Sequence, residues 1–132
     1  MSQKSIRNSL SDALFTLGVP TSYENGGFDP TGLTEFFAQY FIPTDSITCG
    51  KTKSSSDNET GIFKVSVFIP ANSKTWDNRQ LDLIADIKTV FYNGAVIDNV
   101  NINEVTVDNT TIDGGFFRRD VNINYFSFDA RI

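Results

Sequence analysis

Ile6, Leu10, Ala13, Leu14 and Leu17 fall at offsets 0, 4, 7, 8 and 11, the stripe of an amphipathic helix with one buried face over residues 5–17. Gly18 and Pro20 end it. Residues 21–32 (TSYENGGFDPTG) are turn formers around one large apolar side chain, Phe28, and predict a surface loop pinned at that residue. Residues 35–42 (EFFAQYFI), closed by Pro43, read as an aromatic strand with apolar groups on both faces. A second strand over residues 62–69 alternates Phe63, Val65, Val67 and Ile69 with Ile62, Lys64, Ser66 and Phe68 before Pro70. Residues 51–60 (KTKSSSDNET) contain no apolar residue, which predicts a flexible polar loop at the tip of an antiparallel hairpin.

Capping side chains over residues 72–77 precede a second helical face marked by Leu81, Ile84, Ala85, Lys88 and Phe91, and Gly94 is its stop. A short strand-like piece follows at residues 95–97, then a strand over residues 100–107. There Val100 and Ile102 are out of phase with Val105 and Val107, as a bulge near Asn103 and Glu104 would make them. After the turn Asp113-Gly114-Gly115, the longest strand spans residues 116–128, with Phe117, Arg119, Val121, Ile123 and Tyr125 on one face. The expected fold is α+β: a mostly antiparallel four- to five-stranded sheet packed with two helices, in the order α-β-β-α-β-β.

Composition narrows the function more than the fold. At 132 residues the chain is expected to form one domain over residues 1–132. It contains no histidine, which removes Ser/His/Asp and Cys/His catalysis and histidine metal sites. Cys49 stands alone, so neither an internal disulfide nor a multi-cysteine cluster can form. The net charge of −5 argues against duplex nucleic acid as the main partner. Twelve Phe supply enough apolar bulk for a packed core. No apolar stretch is long enough for a membrane span, and the N-terminus lacks the apolar region of a secretory signal, so a soluble protein made inside the cell is expected.

Candidate chemistry is sparse. Asp82 and Asp86 lie one helical turn apart, a spacing that could serve a metal or a glycosidic oxygen, but Arg79 and Lys88 beside them mark a solvated charged face. Asp108 and Asp113-Gly114 lack the alternating ligands and closing Glu of a calcium loop and read as a turn. Besides the N-terminus, the local concentrations of positive charge are Lys51 and Lys53, and Arg118 and Arg119; neighbouring strand residues point to opposite faces, so only one of the two arginines can serve a given surface. No catalytic, cofactor or metal residue is assigned. The alternative functional reading is a small monomeric carbohydrate- or peptide-binding module stacking ligand on Phe36, Tyr40 and Trp76.

The ordered features resemble the tail-terminator family of long-tailed bacteriophages. The resemblance is carried by the first helix running into Gly18-Val-Pro20, the Asn25-Gly-Gly-Phe28-Asp-Pro30 loop, the strand ending Phe41-Ile-Pro43 and Gly61-Ile-Phe-Lys-Val-Ser-Val-Phe-Ile-Pro70. The Leu81-Asp-Leu-Ile-Ala-Asp-Ile helix and the final strand from Gly115 to Tyr125 complete it. It implies a non-enzymatic virion protein without cofactors. Its subunits would form a homohexameric ring at the head-proximal end of the tail tube, end tube polymerisation and join the head-completion proteins. The partners it implies are further copies of the chain, the tail tube protein and a head-completion or connector protein. DNA would only pass through the lumen, and no membrane is involved. Location would be the virion tail, with assembly in the host cytoplasm. Phe28, Asp29, Pro30, Lys51, Lys53, Arg118 and Arg119 are the expected interface residues; another head–tail joining or tail-completion subunit would share this general build.

Overall fold

A computed structural model describes residues 3–23, 35–48, 56–70, 76–113 and 115–130. Helix α1 spans Gln3–Phe15 and α2 spans Trp76–Val90. The strands are β1 (Thr21–Ser22), β2 (Phe36–Thr48), β3 (Ser56–Pro70), β4 (Val96–Ile97), β5 (Val100–Val107), β6 (Thr111–Asp113) and β7 (Phe116–Ala130). They form one seven-stranded sheet in the order β1-β2-β3-β7-β5-β4, with β6 paired to β7.

This corrects the expected four- to five-stranded sheet. The fold is α+β in the broad sense but mostly β, and the sheet is mixed, because β1 pairs in parallel with β2 through Thr21↔Phe37 and Ser22↔Ala38. Strands of two or three residues show no period, and β1 lies in a stretch whose composition signals turns. The C-terminal half of the expected loop over residues 51–60 is corrected too. Residues 56–60 are strand, paired to β2 on one side and β7 on the other, because main-chain pairing asks nothing of side-chain polarity. Residues 51–55 lie outside the described residues.

Other expectations hold with moved boundaries. The two long strands form an antiparallel hairpin, with a register shift between Pro43 and Asp45. The phase break on β5 is a second shift, between Ile102 and Glu104. Helix α1 stops at Phe15; Leu17 N–H and Gly18 N–H donate back three residues, to Leu14 O and Phe15 O, in a tight turn that Gly18 completes at φ +72°.

Both helices lie on one face of the sheet. Ile6, Leu10 and Leu14 from α1, and Leu83, Ile84 and Ile87 from α2, pack on Phe37, Phe63, Val65, Val67, Ile69, Val121, Ile123 and Tyr125. These strand residues are all odd-numbered, as a period of two requires. Gln80 is fully buried beneath α2: its Nε2 donates to Val67 O (3.1 Å) and Phe117 O (3.4 Å), and its Oε1 accepts from Thr110 Oγ1 (3.3 Å). That side chain ties the helix to β3, to β7 and to the segment leading into β6.

Candidate assembly surfaces

The even-numbered residues of β2 up to Ile42, and those of β3 and β7, form the face that carries no helix. At one end Phe36 stacks on Phe68, with centroids 4.5 Å apart and planes 7° from parallel, and Phe116 meets Phe36 edge-on at 5.1 Å. Phe36, Ala38 and Phe68 are buried there as a second, smaller apolar cluster. Register makes this cluster: Phe36 lies opposite Phe68, and Phe68 opposite Arg118.

Beside the aromatic cluster sits a charged one. Arg118 Nε donates to Asp120 Oδ1 at 2.9 Å, and its guanidinium carbon lies 5.7 Å from the Phe68 centroid and 6.0 Å from that of Tyr40. Ser66 Oγ donates to the same Asp120 oxygen at 2.6 Å, and Lys64 Nζ lies 3.8 Å from the other. Burial pushes the Asp120 carboxyl up, but the hydrogen bonds from Ser66 and Arg118 and the charges of Arg118 and Lys64 outweigh it and hold the group below its ordinary value.

Arg119 points the other way. Its Nε donates to Asp108 O at 2.9 Å, on the side where the helices pack. The two arginines therefore belong to different surfaces, and each is held by a partner inside its own chain. Phe28, Asp29, Pro30, Lys51 and Lys53 lie outside the described residues. Asp82 and Asp86 are exposed on α2, and among the described residues no three His, Cys, Asp or Glu gather to hold a metal ion. Of the expected stacking platform of Phe36, Tyr40 and Trp76, Phe36 is buried against Phe68, and the side chain of Trp76 lies outside what the structure describes.

A bidentate pair the sequence did not single out links the two layers. Arg79 Nε and Nη2 donate to Glu35 Oε2 and Oε1 at 2.6 and 2.5 Å, joining the first turn of α2 to the residue before β2. The hydrogen bonds and charge of Arg79 hold the Glu35 carboxyl below its usual range against the effect of burial. Large apolar side chains also stand in solvent: Ile112 on β6 (75% exposed), Phe15 at the end of α1 (71%), Val96 on β4 (63%) and Tyr92 after α2 (56%). Only Ile112 and Val96 lie on edge strands, where such side chains mark contact surfaces. Among the described residues no helix is long and apolar enough to cross a membrane.

The fold presents unlike sheet edges, one sheet face without helices and apolar side chains turned outward, features that suit a protein that assembles with others. The chain belongs to the phage tail terminator proteins, whose family model matches residues 3–125. It is accordingly a structural protein of the bacteriophage tail. No curated protein matches it. Twenty solved chains are similar. One of them, at 17% identity, aligns over 96% of this chain and 96% of its own with a TM-score of 0.72, a likeness of fold.

Proposed function

We propose that this chain is the subunit of a ring that ends polymerisation of the tail tube, seated at the tube's head-proximal end and offering its other side to the head-completion proteins. The observation that carries this reading is the family match across residues 3–125. Ile112, Phe15, Val96 and Tyr92 support it, because large side chains exposed to this degree are protected once neighbouring subunits cover them. The proposed partners are further copies of the chain in a hexamer, the tail tube protein and a head-completion or connector protein. Six copies carry a formal charge of 6 × −5 = −30, which suits a passage through which DNA slides without sticking. No step of covalent chemistry enters: binding and exclusion do the work.

The test is capping of purified tail tubes. Added protein should arrest tube elongation and leave a ring of six subunits at one end, seen by negative-stain imaging and native mass measurement. Tubes that lengthen at an unchanged rate, with no density added at either end, would overturn the reading.

A further inference from the structure

Two main-chain hydrogen bonds set the direction of the main-chain groups in the long strands. Phe37 N–H donates to Pro20 O (2.8 Å), away from β3, and Asp108 N–H donates to Asp120 O (2.9 Å), also away from β3. Alternation along an antiparallel ladder then assigns the rest. On β2 the outward positions are odd up to Pro43; past the register shift Asp45 pairs with Thr60, so Ser46 and Thr48 point outward. On β7 the even positions point away from β3. Phe126 still meets Asn101 of β5, and Phe128 and Ala130 lie beyond that pairing.

Parts of the other sheet edges are covered or blocked within the chain. β1 covers β2 at Phe37 and Ala38. Pro43 occupies an outward position and has no N–H to offer. The outward N–H of Val105 on β5 is taken by Asn93 Oδ1 at 3.1 Å. Among the described residues no strand pairs with the outer side of β2 at Ser46 and Thr48, or with that of β7 at Phe128 and Ala130. These two stretches lie at the same level of the three-stranded arm, on its opposite sides, since Thr48 faces Asp57 and Asp57 faces Asp129.

We propose that the occupant of each stretch is a second copy of this chain: the outer edge of β2 at Ser46 and Thr48 pairs with the outer edge of β7 at Phe128 and Ala130 in the next copy. One sheet then runs from subunit to subunit. Both β2 and β7 are antiparallel to β3, so they run in the same direction. Copies related by rotation, arms pointing the same way, bring them together as a parallel pair. Each edge offers two outward residues spaced two apart, and the edges are unlike, so the contact is head-to-tail and closes into a ring when the rotation closes. The inference rests on the ring reading above and names the surface that makes the ring.

Hydrogen exchange on the wild-type protein tests it, comparing the monomer with rings, free or seated on tail tubes. The amides of Ser46, Thr48, Phe128 and Ala130 should slow at least about tenfold on ring formation, while Asp45 and Ile47, bonded to β3, are slow in both. Ser46→Pro removes an outward donor and leaves the bonds to β3 intact, so it should keep the monomer's thermal midpoint and lose the ring. Rings whose Ser46 and Phe128 amides exchange as fast as in the monomer would overturn the edge pairing and leave the ring reading standing. A wild-type chain that forms no ring even on tubes would overturn both.

Discussion

Tyr125 on β7 lies directly across from Gly61 on β3, its ring filling the space that any side chain at position 61 would need. A Cβ built there would come within 2.7 Å of Tyr125 Cζ and of Ile42 O, and closer still to the phenol oxygen. Tyr125 in turn stacks on Phe41 at 5.4 Å, so it cannot swing aside without losing that contact. Gly61→Ala is therefore expected to destabilise the fold by about 1–3 kcal/mol through overpacking. Urea unfolding measures it, and adding Tyr125→Ala should recover part of the loss at position 61, a coupling that a double-mutant cycle reads directly.

Asp120 gives the stability a defined acid dependence. Its carboxyl titrates lower in the folded chain than in the unfolded one, so its contribution is complete above the unfolded value of about 4 and is lost as pH falls through the folded value. Glu35 acts with the same sign in the same window. Asp120→Asn should cost stability at pH 7, since Ser66, Arg118 and Lys64 lose their charged acceptor, and should flatten the fall in stability between about pH 5 and pH 3. Unfolding midpoints across that range check both effects.

Gln80 predicts a local effect as well as a global one. Replacing it by Leu leaves the carbonyls of Val67 and Phe117 short of a buried donor, at an expected cost of about 1–3 kcal/mol. Because Gln80 also holds Thr110, amide exchange over β6 should speed up more than over β3 in the same variant.

The turn between β4 and β5 uses two positive-φ residues, Asp98 at 47° and Asn99 at 70°, the conformation of a two-residue type I′ hairpin. Asn99→Gly should raise stability by a few tenths of a kcal/mol or leave it level, whereas Asn99→Val should lower it by about 1 kcal/mol or more. Thermal unfolding of the pair separates backbone strain from any side-chain role.

The long elements were legible because each carries its own period. Val65, Val67, Val121 and Ile123 alternate, and even the β5 bulge showed as a phase slip. Helix α2 was legible as a helix but not in its facing: Leu81, Ala85 and Lys88 of the expected stripe are exposed, and Leu83, Ile84, Ile87 and Phe91 are buried. What could not be read was set by pairing between distant strands. Ser56 to Thr60 look like loop and become strand because β2 and β7 flank them. Likewise Arg118 and Arg119 could be assigned to opposite faces from alternation alone, but their partners, Asp120 with Ser66 in one case and Asp108 O in the other, depend on register. The Phe36–Phe68–Phe116 cluster was hidden for the same reason: three residues far apart in sequence meet only after the sheet is ordered.

The strand order also governs the chain's emergence from the ribosome. Among the described strands β7 is synthesised after the other six, yet it sits between β3 and β5 near the middle of the sheet. Until residues 116–130 are available, β3 and β5 have no common neighbour and the hairpin of β2 and β3 carries a long bare edge. Contacts of such sequence separation slow folding and expose nascent chains to wrong pairing. A truncation that removes β7 should thus leave an aggregating fragment, not a smaller folded one, and production of this protein should benefit from conditions that slow intermolecular encounter more than translation.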